Sequence, residues 1–241
     1  MPLYIVATPL GNLSDMSRRA IETLRAAPII AAEDTRSARR LLAAFDIPAD
    51  GKQIFSYGEH NEVRMAPLLA ERLREGQDIA VVSEGGTPLL SDPGFRLARA
   101  AIDAGIAVVP IPGPCAAIAA LCASGLPVHG FIFRGFLPKK PGARRRILES
   151  LKEREETLIF YESPQRVPKV LPEFIEIFGA HRPACLAREL TKLHETFVRM
   201  SLGELASFVE KNPPRGECTL LVAGVTRDLS DDDRDVEKAL D

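Results

Sequence analysis

The sequence predicts an α/β fold in two domains, the first built on a largely parallel sheet and the second on a mixed sheet, each flanked by helices. Three observations lead there. Short apolar runs alternate with segments of helical spacing through the first half of the chain. Three of those runs end in loops rich in glycine and proline. Beyond residue 130 the apolar runs crowd together toward the end, which suits antiparallel neighbours as well as crossovers.

Residues 3–7 form the first strand, stopped by Thr8-Pro9-Leu10-Gly11-Asn12. Ser14, Asp15 and Met16 offer caps for a helix running through Leu24. Residues 28–32 form a second strand, ending in Glu33-Asp34-Thr35-Arg36, and 37–45 have helical spacing with Leu41, Leu42 and Phe45 on one side. A third strand is expected at 53–56, then an amphipathic helix at 65–74 with Leu68, Leu69 and Leu73 on one stripe, stopped by Gly76. A strand at 78–83 runs into Glu84-Gly85-Gly86-Thr87-Pro88. A helix at 94–104 is closed by Gly105, and a strand at 106–111 ends in Pro112-Gly113-Pro114. The second half opens with an alanine-rich helix at 115–124. Strands follow at 130–134, 157–161, 184–187, 195–200 and 218–222, with helices including 147–154 and 168–178 between them. The domains expected are 1–113 and 114–226, followed by an acidic, frayed tail at 227–241.

Composition narrows the function. The chain has 241 residues, 46% hydrophobic and 27% charged, with a formal net charge of −2. That is an ordinary globular balance, and a nucleic-acid contact would have to be a local patch. The apolar runs are too short to span a bilayer, and the start has no charged leader ahead of an apolar stretch. The four cysteines, Cys115, Cys122, Cys185 and Cys218, are widely spaced with no CxxC pair, which fits reduced thiols of a cytoplasmic protein. His129, His181 and His194 do not cluster at ligand spacing, so no metal is assigned.

The loops at 8–12, 84–88 and 112–114 follow strand ends, where open α/β sheets bind ligands, and glycine there lets a ligand reach backbone N–H groups. The alternative is three ordinary tight turns. No GxGxxG follows the first strand and no GxxxxGK[ST] occurs, so dinucleotide and P-loop chemistry lose support. The residues alone reach a two-lobed protein with a small-molecule cleft.

Eight segments then carry a resemblance. They are Thr8-Pro9-Leu10-Gly11-Asn12-Leu13, Ala32-Glu33-Asp34-Thr35-Arg36, Ser83-Glu84-Gly85-Gly86-Thr87-Pro88, Ser91-Asp92-Pro93-Gly94, Pro110-Ile111-Pro112-Gly113-Pro114, Gly135-Phe136-Leu137-Pro138, Phe160-Tyr161-Glu162-Ser163-Pro164 and Ala187-Arg188-Glu189-Leu190-Thr191-Lys192. In this order they resemble the ribosomal RNA small-subunit methyltransferase I family, of the tetrapyrrole-methylase superfamily. The resemblance implies two α/β domains with S-adenosylmethionine between them, commonly a homodimer, and 2′-O-methylation of a cytidine in small-subunit ribosomal RNA, free or in a 30S-type subunit. It implies donor binding by Thr8, Pro9, Leu10, Gly11, Glu84, Gly85, Gly86, Thr87, Pro88, Ala116, Ala117, Phe160, Tyr161 and Ala187. The family commonly has Asp-Ala where this chain has Glu84-Gly85, histidine where it has Gln165 and serine where it has Cys115. Many members carry a further C-terminal segment, which bears on RNA affinity.

A tetrapyrrole or protein side chain is the competing acceptor, and a non-catalytic RNA-binding module the competing class. Transfer to a 2′-hydroxyl calls for alignment and a proton acceptor. The candidates are Lys192, with Arg188 to depress its pKa, and Glu33, Asp34 and Glu189. Structural roles compete with each: Glu33 with Arg36 as a helix-start pair, and Glu189 with Lys192 as a surface pair. For RNA the candidates are Arg36, the basic proline-glycine loop with Lys139, Lys140, Arg144, Arg145 and Arg146, and a polar loop with Tyr57 to stack on a base and His60 and Asn61 to hydrogen-bond to it.

Overall fold

The computed structural model describes residues 2–225, so the segment expected to be an acidic tail, 227–241, lies outside the described residues. The chain forms two compact units, Met1–Ala119 with Glu189–Glu195, and Ala120–Arg188 with Thr196–Asp241.

The first unit alternates strand and helix: β1 Leu3–Val6, α1 Arg18–Ala26, β2 Ile29–Ala32, α2 Thr35–Ala44, β3 Gln53–Ser56, α3 Glu62–Arg74, β4 Ile79–Val82, α4 Phe95–Asp103 and β5 Val108–Ile111. The strands lie in the order β3-β2-β4-β1-β5, and every pairing is parallel. β2 and β4 are buried at every residue, as unbroken apolar strands must be when helices cover both faces. Alternate side chains split between two cores. Leu3, Ile29, Ile79 and Val81 pack with residues of α3 and α4; Val6, Ile30, Ala80 and Val82 pack with residues of α1 and α2.

Helix starts differ from the sequence reading where capping decides them. Asn12 Oδ1 accepts the Ser14 N–H at 3.0 Å and turns Leu13–Asp15 into a single 3₁₀ turn. Ser17, not Ser14–Met16, caps α1, its Oγ accepting from the Ala20 N–H at 3.1 Å. Asp34 caps α2 through the N–H groups of Arg36 and Ser37, so that helix begins at Thr35.

α5, Ala116–Ser124, leads into the second unit, which adds β6 Phe131–Phe136, α6 Pro141–Glu149, β7 Thr157–Glu162, α7 Val167–Phe178, β8 Pro183–Arg188, β9 Thr196–Ser201, α8 Leu202–Lys211 and β10 Cys218–Val222. Its sheet runs β6-β7-β10-β8-β9, with β6 parallel to β7 and the other pairings antiparallel. The sheet is therefore mixed, as expected. Leu158, Phe160, Leu186 and Leu220 form its core with α7 and α8, where Phe160 meets Phe174 edge-on at 5.2 Å.

The basic stretch is the clearest departure. It was expected to be a proline-glycine loop, yet Pro141 to Arg146 is the first part of α6. Proline lacks the N–H that the first helical turn leaves unbonded, so at this position it starts a helix instead of breaking one. Among the described residues no helix is long and apolar enough to cross a membrane.

Candidate active site

In the first unit β4, β1 and β5 are parallel neighbours, so their glycine-proline loops leave the same edge of the sheet. Hydrogen bonds stitch the loops together. Thr8 and Gly86 exchange N–H···O bonds of 2.9 Å in both directions, and Thr87 Oγ1 donates to the Pro114 carbonyl at 2.9 Å. Gly86 adopts φ 90°, where only glycine rests without strain. A Cβ on Gly85 would sit 3.1 Å from the Pro9 carbonyl oxygen, and one on Gly113 3.0 Å from Ala7 Cβ. These glycines let backbone approach backbone, and the Gly86 N–H that the sequence reading left for a ligand is taken by Thr8.

Carboxylates gather beside this frame. Glu33, at the end of β2, accepts from the Glu84 backbone; burial, then the charges of Glu84 and Glu59, push its pKa up. Asp92, to which sequence reasoning gave no role, is pushed up to about 6 by burial first and then by the charge of Glu33, although the Ser83 hydroxyl bonds to it. Glu62 fixes the adjoining turn, its Oε1 accepting from the Gly94 N–H at 3.0 Å and the Arg96 N–H at 3.2 Å. Asp34 behaves differently. Hydrogen bonds from Arg36, by side chain and backbone, and from Ser37 hold it at about 2, so it is a cap and a poor proton acceptor. Arg36 pairs with Asp34 at 3.0 Å, whereas the structural alternative weighed above paired it with Glu33.

The segment Glu189–Glu195 belongs to this unit. Glu189 and Thr191 hold φ of 52° and 65°, left-handed conformations that cost energy for side chains of this kind. Lys192 Nζ donates to Glu189 Oε1 at 3.0 Å, both side chains mostly buried, so the pair exists but is not the surface pair considered above. A Cβ on Gly11 would run into the Lys192 stem, so the glycine makes room for that lysine. Arg188 belongs to the second unit and bonds to Thr196 Oγ1 and the Arg215 carbonyl, both at 3.2 Å. The Lys192 ammonium thus meets a carboxylate within its own segment.

Sequence reasoning also missed a cavity. About 420 Å³ opens between the 8–13 loop, α2 and the end of β4, lined by Thr8, Gly11, Ser37, Arg40, Leu41 and Glu84 among others. Thr8 is 1% exposed, and among the described residues its Oγ1 has no hydrogen-bond partner. No local pattern announces such a cavity, because its walls come from separate segments.

In the second unit a bulge between Phe133 and Gly135 sets Phe133 and Phe136 against Tyr161, with ring centroids 4.9 and 5.6 Å away. The Phe160 side chain, by contrast, is core, and Ala187 is fully buried in β8, so neither offers a side chain to a ligand. Arg166 pairs with Glu162 at 3.2 Å and donates to the carbonyls of Leu137 and Pro138 at 3.1 and 3.2 Å, tying two of the recognised segments together. Two of the five cations in the basic run are engaged with carboxylates. Arg144 pairs with Glu173, both 13% exposed, and Arg145 pairs with Glu149 and Glu176 at 2.8 and 2.6 Å.

The polar loop expected to read a base is also corrected. Tyr57 is 1% exposed, its hydroxyl bonded to Glu62 at 3.2 Å, so it cannot stack on an incoming base. Asn61 holds its own turn, accepting from the Gly58 N–H at 2.9 Å and donating to the Ser56 carbonyl at 3.0 Å. His60 alone stays exposed. Ala116 is half-buried and Ala117 buried in the first turn of α5.

Residues 2–206 match the family described as Tetrapyrrole (Corrin/Porphyrin) Methylases. The chain is 49% identical over 224 residues to Ribosomal RNA small subunit methyltransferase I of Pseudomonas aeruginosa, covering 92% of this chain and 78% of that protein. It is 47% identical over 239 residues to the protein of the same name from Mesorhizobium japonicum, covering 99% and 80%. The crystal structure of the methyltransferase CobJ superposes with a TM-score of 0.70 at 20% identity, covering 95% of this chain and 97% of that one. Uroporphyrin-III C-methyl transferase from Thermus thermophilus, complexed with S-adenyl homocysteine, superposes with a TM-score of 0.66 at 20% identity, covering 92% and 97%.

Proposed function

Since the chain belongs to the tetrapyrrole methylases and, within them, to the ribosomal RNA small subunit methyltransferase I family, we infer that it transfers a methyl group from S-adenosylmethionine to the 2′-hydroxyl of a cytidine in small-subunit ribosomal RNA. The observation that carries this reading is the likeness to the small-subunit methyltransferases across nearly the whole chain. The strand-end frame supports it, because the three loops of the family pattern meet at one edge of the parallel sheet.

The residues fit the donor. When bound, S-adenosylmethionine supplies a methyl group on a positively charged sulfonium. Glu33, Glu84 and Asp92 concentrate negative charge beside the loops, a field that favours a cation. The 8–11 and 84–88 turns and the start of α5 at Ala116 and Ala117, all in the first unit, would hold the donor. In-line transfer needs the acceptor hydroxyl held in place and water kept away. Glu33, with its raised pKa, is the proton acceptor we assign, since Asp34 is committed to its cap. Lys192, paired with Glu189, acts as a cation toward the RNA backbone. Lys139, Lys140 and Arg146 are the members of the basic run left to meet phosphate.

The protein would act in the cytoplasm, where its substrate is made, on free RNA or an assembled subunit. It would work as a homodimer. Val63 and Phe95 are large apolar side chains exposed on α3 and α4, which pack together, and a second copy would cover them. Light scattering tests this, and a monomer at micromolar concentration would refute it.

The decisive experiment incubates the protein with labelled S-adenosylmethionine and small ribosomal subunits or free RNA, then digests to nucleosides. Label should appear in 2′-O-methylcytidine. Label on a base, or none on RNA, would overturn the assignment. With Glu33 as acceptor, the single-turnover rate should rise with pH somewhat above the ordinary carboxylate range and level off well below the lysine range.

A further inference from the structure

The cavity between the 8–13 loop and α2 has the features of a built site. Its volume of about 420 Å³ lies in the range of small-ligand pockets, roughly 300–1,000 Å³. Thr8 lines it, and among the described residues the Thr8 Oγ1 is buried without a partner, a state that a ligand or ordered water must complete. On the opposite wall Arg40 donates to Ser37 Oγ at 2.9 Å and, among the described residues, is in no ion pair. Leu41 and Ala44 give that wall an apolar stretch, and Glu84 places a carboxylate at the end of β4. The cavity is thus cationic on one side, apolar along α2 and acidic on the other. Gly11, which also lines it, is the residue over which the Lys192 stem lies.

We propose that this cavity takes one nucleotide of the acceptor RNA, with its phosphate at Arg40 and Ser37, its base or ribose against Leu41 and Ala44, and Thr8 Oγ1 and Glu84 hydrogen-bonding to its polar edge. The inference rests on the RNA-methyltransferase reading and assigns the acceptor side of that site. A guanidinium without a carboxylate partner suits a phosphodiester. It does not suit the methyl donor, whose sulfonium and ammonium outnumber its one carboxylate. Glu84 can accept from an exocyclic amine, which cytosine presents and uracil lacks. Arg39, exposed on the same helix, would follow the strand outward. The 8–11 turn would then have the donor on one side and the acceptor nucleotide on the other, as transfer between them requires.

Three variants test this, each compared with wild type for methylation of small subunits or their RNA, for RNA affinity against salt, and for donor affinity by calorimetry. Ala44→Phe fills the cavity from an exposed helix position; methylation should fall at least about tenfold with donor affinity unchanged. Arg40→Ala should weaken RNA binding and flatten the plot of log affinity against log salt by about 0.7, the share of one single-strand phosphate. Thr8→Val keeps shape and removes the orphan hydroxyl; it should lower RNA affinity without lowering the melting temperature, which a purely structural role would not give. Arg99→Ala, on α4, is the charge control and should change none of these. Wild-type RNA behaviour in all three variants would overturn the proposal and leave the function standing. Loss of donor binding in Ala44→Phe would give the cavity to the donor instead. A wild-type protein that methylates no RNA would end the functional reading, and this inference with it.

Discussion

The N-terminal part of α6 and the strand-end edge of the first sheet are both dense in charge, and they use it in opposite ways. In α6 each of two arginines has found its own carboxylate: Arg144 meets Glu173, and Arg145 meets Glu149 and Glu176. At the strand-end edge, like charges meet like. Burial and the charges of Glu84 and Glu59 raise the proton affinity of Glu33, burial and the charges of Glu33 and Glu84 raise that of Asp92, and Arg40 has a serine for company where α6 would supply a glutamate. Charge that is compensated inside the fold belongs to the fold. Charge left uncompensated costs stability and stays available to a ligand.

The largest effect expected from this contrast is on folding. Arg144→Ala should cost about 3 kcal/mol, the low end for removing one partner of a buried pair, because Glu173 would be left buried alone. Denaturant unfolding measures it. A loss of well under 1 kcal/mol, with RNA affinity falling sharply, would mean that Arg144 belongs to the RNA surface and that the contrast fails. Replacing Glu173 by Gln along with Arg144→Ala should recover much of the loss.

Next in size is the opposite pattern on α2. Arg39→Ala with Arg40→Ala should leave the melting temperature nearly unchanged, since among the described residues neither is in an ion pair. It should lower RNA affinity several-fold and reduce the salt slope by about 1.4, twice the single-strand share of one phosphate. A smaller effect is expected from Arg145→Ala, whose partners are all exposed: a melting shift well below that of Arg144→Ala, and an unaltered salt slope. Should Arg145→Ala change the slope more than the α2 pair does, the sequence's own choice of RNA-binding run would be right.

How much of this was legible depends on whether the signal was local. The parallel alternation of the first unit could be read from runs such as Ile29–Ala32 and Ile79–Val82, whose unbroken apolar character follows from burial on both faces. The three loops could be read as a candidate site because proline and glycine end strands visibly. Their stitching, Thr8 to Gly86 and Thr87 to Pro114, joins distant positions and leaves no periodic trace. Tyr57 was misplaced because an aromatic among polar residues reads as exposed, whereas Glu62 one helix-start away gives its hydroxyl a buried partner. The 139–146 run was misread for two reasons: Pro141 serves as a first-turn residue, and the glutamates that pair with Arg144 and Arg145 come largely from α7. A count of lysines and arginines shows how much positive charge a segment has, but not what the fold puts opposite it.

The smallest effect, and the sharpest test of uncompensated charge, is at Asp92. Burial and then Glu33 raise its pKa from 3.8 to about 6, while the Ser83 hydroxyl pulls it back down and Glu84 pushes it up further. The folded chain therefore holds this proton more tightly than the unfolded chain does. Its contribution to stability is fully present below about 4 and is lost as pH rises toward 6, with no further change above. Asp92→Asn removes that loss, so the variant should match wild type near pH 4 and unfold later than wild type at pH 7. Donor binding should run the other way. If a cation sits beside these carboxylates, wild-type affinity for S-adenosylmethionine should weaken as pH falls through about 6 and Asp92 takes up its proton. Asp92→Asn should bind more weakly at pH 7, with a flatter pH profile. S-adenosylhomocysteine, which lacks the sulfonium charge, should feel the substitution less. A variant more stable than wild type and weaker toward the charged donor would show that the carboxylate is kept for the ligand at the expense of the fold. A variant that is less stable at pH 7 would instead make Asp92 a structural acceptor for Ser83, and the strand-end edge would then resemble α6 after all.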